Sequence, residues 1–152
     1  WGFSDEVTSN KTQFAKGQIL FGKLRPYFHK VVVSPFAGVC STDILVIGAK
    51  ESVFQGFAAL HFSSEELVQY ADSHSGGTKM PRTNWGDLAN YEVVLPPPTL
   101  AHAFNQFYSN IVSRMHAGIF QNKSLAAQRD TLLPKLISGE LRLKDAERFV
   151  NG

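Results

Sequence analysis

The strongest constraint on the fold of this 152-residue chain is a seven-residue repeat near its carboxyl end. Two sets of residues recur every seven positions, offset by four: Phe104, Ile111, Gly118, Leu125 and Leu132, then Tyr108, Met115, Asn122, Arg129 and Leu136. Alternating spacings of four and three are typical of a coiled-coil seam. We therefore predict a long helix over residues 99–140 that pairs with another helix. The expected pairing surface comprises Ile111, Met115, Asn122, Leu125, Arg129, Leu132 and Leu136.

The length of this helix implies a partner outside its own domain. At about 1.5 Å per residue, a helix of roughly 30 to 40 residues extends about 45 to 60 Å, more than the diameter of a domain of about 95 residues. Its apolar stripe therefore needs a second helix, from another copy or from another subunit. The polar seam residues Asn122 and Arg129 restrict the register of such pairing. The alternative is two shorter helices, broken near Gly118, that fold back on the sheet.

The residues before the helix have the pattern of a small mixed domain. Three consecutive prolines at 96–98 mark its boundary, because prolines end a strand and are excluded from a helix interior. Short runs bounded by Gly or Pro predict strands, and they lie at residues 19–21, 30–34, 43–47 and 91–95. Residues 54–70 are predicted to be partly helical, and 73–84 to form a loop. The expected fold is α+β: a compact mixed domain with a small sheet over 1–98, the helical region 99–140 and a tail at 141–152.

Composition excludes several classes of protein. The longest apolar runs are far shorter than the roughly 20 residues that span a bilayer, and no secretory signal pattern is present, so we expect a cytoplasmic protein without a membrane partner. Cys40, the single cysteine, cannot form an internal disulfide or a thiolate zinc cage. The five histidines lack metal-ligand spacing, so no metal or other cofactor is expected.

The distribution of charge is more informative than the net charge of +2. No acidic residue lies between Glu6 and Asp43. The charged residues of that stretch are all cations: Lys11, Lys16, Lys23, Arg25 and Lys30. A protein that binds a polyanion through one face has such a pattern. The alternative is a solvated basic face with no partner.

Two loops contain the candidate DNA-binding residues. Residues 17–30 place Lys23 and Arg25 beside Tyr27 and Phe28, and arginine and lysine pair with phosphates or read guanine. Residues 73–86 are rich in glycine, hydroxyl and cationic groups, but their spacing is not that of a nucleotide-binding P-loop. The candidate residues are Lys23, Arg25, Lys79 and Arg82, with Thr78 and Asn84 as polar support.

The sequence contains no strong motif of a catalytic site. Cys40 and a histidine would be the components of a small hydrolase, but Cys40 lies among small and apolar residues, where a free cysteine usually packs. No nucleophile elbow or zinc-protease motif is present. We expect a chain without catalytic residues.

Four segments resemble the specificity subunit of type I restriction-modification systems. They are KGQILFGKLRPY at residues 16–27, CSTDILVI at 40–47, SGGTKMPRTNWGDLANYEVVLPPP at 75–98 and LAAQRDTLLPKLISGELRL at 125–143. The last segment is the most specific. The resemblance covers one target recognition domain, without its usual amino-terminal part, and one conserved helix.

The resemblance implies a non-catalytic module that reads part of a split target in double-stranded DNA. Its helix would pair antiparallel with that of a second recognition half or of a second copy. The paired helices would recruit methyltransferase subunits, and the complex would then bind restriction subunits. The alternative is a protein-interaction module of the same fold that does not bind DNA.

Overall fold

The computed structural model describes residues 9–77 and 79–142, and its contacts divide the chain into two units, residues 1–110 and 111–152. The strands are β1 (Lys11–Phe14), β2 (Ile19–Gly22), β3 (Val31–Val33), β4 (Gly38–Ser41) and β5 (Ile44–Ile47). The α-helices are α1 (Gln55–Phe62), α2 (Glu65–Ser73), α3 (Trp85–Ala89) and α4 (Pro98–Ile137). Two short 3-10 helices occupy Pro26–Phe28 and Ser52–Phe54. The expected α+β fold is confirmed.

The core of the first unit lies on one face of strand β2. This strand is the centre of an antiparallel sheet in the order β3-β2-β5, with Ile19 opposite Val33 on one side and Ile47 on the other. Because side chains alternate along a strand, Ile19 and Phe21 share a face, and both are almost fully buried. The helices cover this face with Ala59, Leu67, Val68, Ala71 and Leu88. A second sheet consists of β1 and β4.

Helix α1 crosses the beginning of α4 at a glycine. Gly56 is buried, and a Cβ at this position would lie 2.8 Å from Cγ of Tyr108. The Gly56 amide also donates a 2.9 Å hydrogen bond to Oδ1 of Asn105. The phenol of Tyr108 is half-buried, and burial raises its pKa. A residue without a side chain therefore allows α1 to approach α4 closely within the first unit.

Three of the four predicted strands are confirmed, and the fourth is wrong. Residues 91–95 form no strand; Val94 and Leu95 are 90% and 64% exposed. Their valine-rich pattern has the composition of a strand, but the three prolines that follow lack N–H donors for a ladder. Strands β1 and β4 and helix α3 were not predicted. The predicted helix over 54–70 is two helices, because Ser64 caps α2 by accepting a hydrogen bond from the Leu67 amide.

Helix α4 confirms the long helix predicted for residues 99–140, although it begins at Pro98 and ends at Ile137. The expected alternative of a break near Gly118 is wrong, because the helix is continuous there. Gly139 ends it in the left-handed conformation, with φ of 76°, as glycine after a helix commonly does. In the second unit, α4 carries a series of exposed apolar side chains, which include Ile111, Met115, Ile119, Leu125, Leu132, Leu133, Leu136 and Ile137.

The glycine at the crossing of α1 and α4 generates a stability prediction. Gly56→Ala should lower the free energy of unfolding by about 1 to 3 kcal/mol, because the added methyl group overpacks against Tyr108. Gly76→Ala is the matched control, since a Cβ there meets nothing within 4 Å. Urea denaturation followed by far-UV circular dichroism measures both variants. Equal stability of the two variants would show that the crossing is looser than described.

Candidate functional site

Backbone pairing beyond the end of β2 brings the two cationic loops together. The Lys23 amide donates to the Asp43 carbonyl at 2.8 Å, and the Lys23 carbonyl accepts from the Thr83 amide at 3.1 Å. Further along, the Arg25 amide donates to the Pro81 carbonyl at 2.8 Å. Leu24 is thereby bridged antiparallel to Arg82. Residues 23–25 and 81–83, far apart in sequence, therefore form one surface, which we call the loop junction.

The second loop is closed by its own pair of hydrogen bonds. The amide and carbonyl of Arg82 bond to the carbonyl and amide of Gly76, at 2.9 and 3.3 Å. Gly77 has φ of 97°, a conformation that favours glycine, so the chain can reverse here. Lys79 and Met80 are exposed in the reversed segment. Thr78, the predicted polar support, lies outside the described residues.

Among the described residues, Arg82 is the predicted DNA contact that forms an ion pair. Its Nη2 lies 3.4 Å from Oδ1 of Asp43, and the two side chains are 53% and 41% exposed. An exposed pair of this kind contributes about 0 to 1 kcal/mol. The Arg82 guanidinium is therefore held only weakly by Asp43, and another anion can replace this carboxylate.

Asn84, the other predicted polar support, has a structural role. It is the N-cap of α3: its Oδ1 accepts from the Asp87 amide at 3.1 Å, and its Nδ2 donates to the Asp87 carboxylate. These bonds use both ends of its amide group. A DNA contact by Asn84 stays a prediction, and it would compete with the cap.

Two buried polar atoms at the junction have no hydrogen-bond partner among the described residues: Nε of Arg25 and Oγ1 of Thr83. Thr83 is 1% exposed. Buried polar atoms of this kind are rare, because each costs free energy unless it is satisfied. Sequence reasoning passed over Thr83, and nothing in its sequence neighbourhood distinguishes it from an ordinary loop threonine.

A turn with exposed aromatic rings lies next to the junction, and we call residues 25–30 the aromatic turn. Pro26–Phe28 form a 3-10 helix between Arg25 and His29, both in the left-handed conformation. Pro26 is buried, whereas Tyr27 and Phe28 are 50% and 56% exposed. Cζ of Arg25 lies 6.0 Å from the centre of the Phe28 ring. The turn thus presents rings and positive charge together.

The groove beside α1 has a different character. It is lined by apolar side chains of α1 and of the beginning of α4, with a volume of about 480 Å³. The lining includes Phe57, Leu60, Leu100 and Phe104, together with the polar side chains of His61 and Ser64. The groove contains no lysine or arginine and shares no lining residue with the loop junction.

The remaining chemistry of the described residues is sparse. Sγ of Cys40 donates to the Thr12 carbonyl at 3.5 Å, and burial raises the pKa of this thiol although Lys11 lowers it. A raised pKa disfavours the thiolate that a nucleophile requires. Residues 9–77 and 79–142 contain no cluster of three or more metal-ligating His, Cys, Asp or Glu side chains, and no helix in them is long and apolar enough to span a membrane.

Comparisons with known proteins give one consistent result. The chain is 34% identical over 93 residues to the type I restriction enzyme EcoDI specificity subunit of Escherichia coli, which is 61% of this chain and 20% of that protein. It is 26% identical over 119 residues to the MjaIX specificity subunit of Methanocaldococcus jannaschii, covering 76% and 27%. The HindI specificity subunit of Haemophilus influenzae is 28% identical over 86 residues, covering 56% and 19%. No family model matches the chain.

The cap on α3 allows the two roles of Asn84 to be separated. Asn84→Ala should lower the free energy of unfolding by about 1 kcal/mol, because the Asp87 amide loses its acceptor. Asn84→Ser keeps an oxygen that can cap the helix and should retain most of the stability. Urea denaturation measures both. Should alanine and serine be equally stable, the cap would contribute nothing and the amide would be free for another role.

Proposed function

We propose that this chain, which is related to part of the specificity subunits of type I restriction enzymes, reads DNA for such an enzyme. It spans about a fifth to a quarter of the length of those relatives, which are matched over 19% to 27% of their residues. In this proposal the chain contributes recognition, and partner subunits contribute methylation and cleavage. The setting is the cytoplasm, where the DNA of a bacterial or archaeal cell lies.

The observation that supports the proposal most is the loop junction. It brings the backbone of Lys23, Arg25 and Arg82 together on paired segments. Arg82 and Lys79 of the second loop are exposed, whereas Lys23 and Arg25 are partly buried. Clustered cations of this kind bind the phosphates of a duplex. We propose that they position the module on DNA.

Helix α4 supports the second part of the proposal, which concerns assembly. Exposed Ile111, Met115 and Leu125 leave an apolar stripe that water disfavours. In an antiparallel pair of such helices, residues of one seam set lie beside residues of the other set. We propose that α4 pairs in this way with a second copy or with the helix of a second recognition half. The paired helices would bind methyltransferase subunits, and restriction subunits would join the complex.

The DNA contact predicts a specific salt dependence. Lys79→Ala and Lys23→Ala should each weaken binding to a random-sequence duplex, and each should reduce the slope of log K against log salt by about 0.9, one phosphate contact. Lys50→Ala is the matched control. Lys50 follows β5 at the end of the sheet opposite Lys23, since Ile44 pairs with Gly22 and Ile47 with Ile19.

Fluorescence anisotropy across a salt titration measures these slopes. If the unsubstituted chain does not bind duplex DNA at low salt but still assembles with a methyltransferase subunit, the proposed DNA-reading role is contradicted. The alternative of a protein-interaction module without DNA binding would then be supported. Equal slopes for Lys79→Ala and Lys50→Ala would place the phosphate contacts elsewhere.

The assembly part of the proposal predicts the effect of a charge on the seam. Leu125→Asp should convert a paired species to a monomer, because an unpartnered carboxylate would be buried between helices. Ser124→Asp introduces the same charge at an exposed position outside the seam and should leave pairing intact. Light scattering after size exclusion gives the masses. A Leu125→Asp variant that still pairs would show that the seam is misplaced.

A further inference from the structure

We propose that Phe28 is a base-reading residue, and that its ring packs against the methyl group of a thymine in the major groove. This inference rests on the proposed function and assigns a role to the aromatic turn. Phe28 is more than half exposed. The neighbouring ring of Tyr27 is also half exposed and contacts it, so the two rings form one exposed aromatic pair.

The aromatic turn is held firmly at its base. The side chain of Pro26 is buried, and the Arg25 amide bonds to Pro81 across the loop junction. Nε2 of His29 lies 2.9 Å from the Ser63 carbonyl, and its Nδ1 lies 3.7 Å from the Glu65 carboxylate. Arg25 and His29 hold positive φ values of 51° and 50°, a conformation that costs non-glycine residues free energy. Such anchoring lowers the entropy that the rings lose when they bind a ligand.

The charges around the rings indicate which side faces DNA. Nζ of Lys30 lies 5.5 Å from the centre of the Phe28 ring, and Arg25 lies beside the same ring. Tyr27 instead shares a surface depression with Glu65, Gln69 and Asp72 of α2. Carboxylates repel a phosphate backbone. A duplex is therefore favoured on the Phe28 side of the turn, and Tyr27 supports Phe28 by ring contact, with centroids 4.7 Å apart.

The chemistry of the ring selects its contact on DNA. A phenyl group has no donor or acceptor, so it cannot use the hydrogen-bond code of the base edges. The thymine methyl is the apolar group that bases present in the major groove, and phenylalanine is among the residues that contact it. Arg25 and Lys30, which flank the ring, would bind phosphates or a neighbouring base edge.

The test begins with selection of duplexes from a random-sequence pool by the unsubstituted chain. Each thymine of the selected site is then replaced by deoxyuridine, which removes only the methyl group. At one thymine the replacement should weaken binding about fourfold, the loss expected for one buried methyl group. Phe28→Ala should bind the thymine site about fourfold more weakly and should be insensitive to deoxyuridine at that position. The salt slope should stay unchanged, because no phosphate contact is removed.

Leu60→Ala is the control, since Leu60 on α1 is 54% exposed and lies outside the aromatic turn. It should keep the deoxyuridine sensitivity. Thermal unfolding establishes that the variants fold, and Phe28→Leu, which retains an apolar side chain, gives a second variant with an intermediate effect.

The outcomes separate this inference from the proposed function. Binding without any selected sequence, a site at which no thymine is sensitive to deoxyuridine, or a Phe28→Ala variant with full sensitivity would each overturn the role of Phe28 and leave phosphate binding intact. Failure of the unsubstituted chain to bind any duplex would overturn the proposed function itself. If Phe28→Ala does not fold, full sensitivity to deoxyuridine in Phe28→Leu would equally overturn the role of Phe28.

Discussion

The pairing of residues 23–25 with residues 81–83 is the interaction on which the proposed DNA-binding surface of the first unit depends. Strand β2 ends at Gly22, but its backbone continues to form hydrogen bonds, with Asp43 on one side and with Thr83 and Pro81 on the other. Pro81 fits because only its carbonyl is used, so its missing N–H costs no hydrogen bond. Arg82 directs its own amide and carbonyl to Gly76. Two loops are thereby fixed to each other by backbone atoms, whatever their side chains do.

This backbone arrangement determines the electrostatics of the surface. The net charge of the chain is only +2, which gives little general attraction for DNA. Several cations nevertheless lie at the junction and the aromatic turn, whereas the acidic residues Glu65, Glu66 and Asp72 lie on α2. Asp43 is the exception at the junction, and its loose pairing with Arg82 lowers the local positive charge. For the proposed function, this uneven distribution of charge favours one orientation of the chain on DNA.

Sequence patterns predicted those parts of the fold that arise from local periodicity. The seven-residue repeat predicted α4, and short apolar runs bounded by Gly or Pro predicted β2, β3 and β5. Strands β1 and β4 were missed because their sequences, KTQF and GVCS, lack a continuous run of apolar residues, and their pairing with each other is a long-range contact. The cap of α3 had a sequence signal, an asparagine three residues before an aspartate, that was not used.

The candidate site was predictable only in part. Cationic loops can be recognised in a sequence, and both were identified. Their convergence depends on long-range pairing that no local pattern reports. The left-handed backbone of Arg25 and the burial of Thr83 are consequences of that pairing and have no composition signal. Conversely, Asn84 has a suitable amide for a base contact, yet a local hydrogen bond to α3 occupies it.

Hydrogen–deuterium exchange with and without a duplex tests the central claim most directly, because it reports both loops in one experiment. If the loop junction is the DNA-facing surface, amides in residues 22–30 and 74–84 should be protected together on binding, and those of α1 should be unchanged. Protection of one loop without the other, or protection confined to α1 and the groove beside it, would contradict the account.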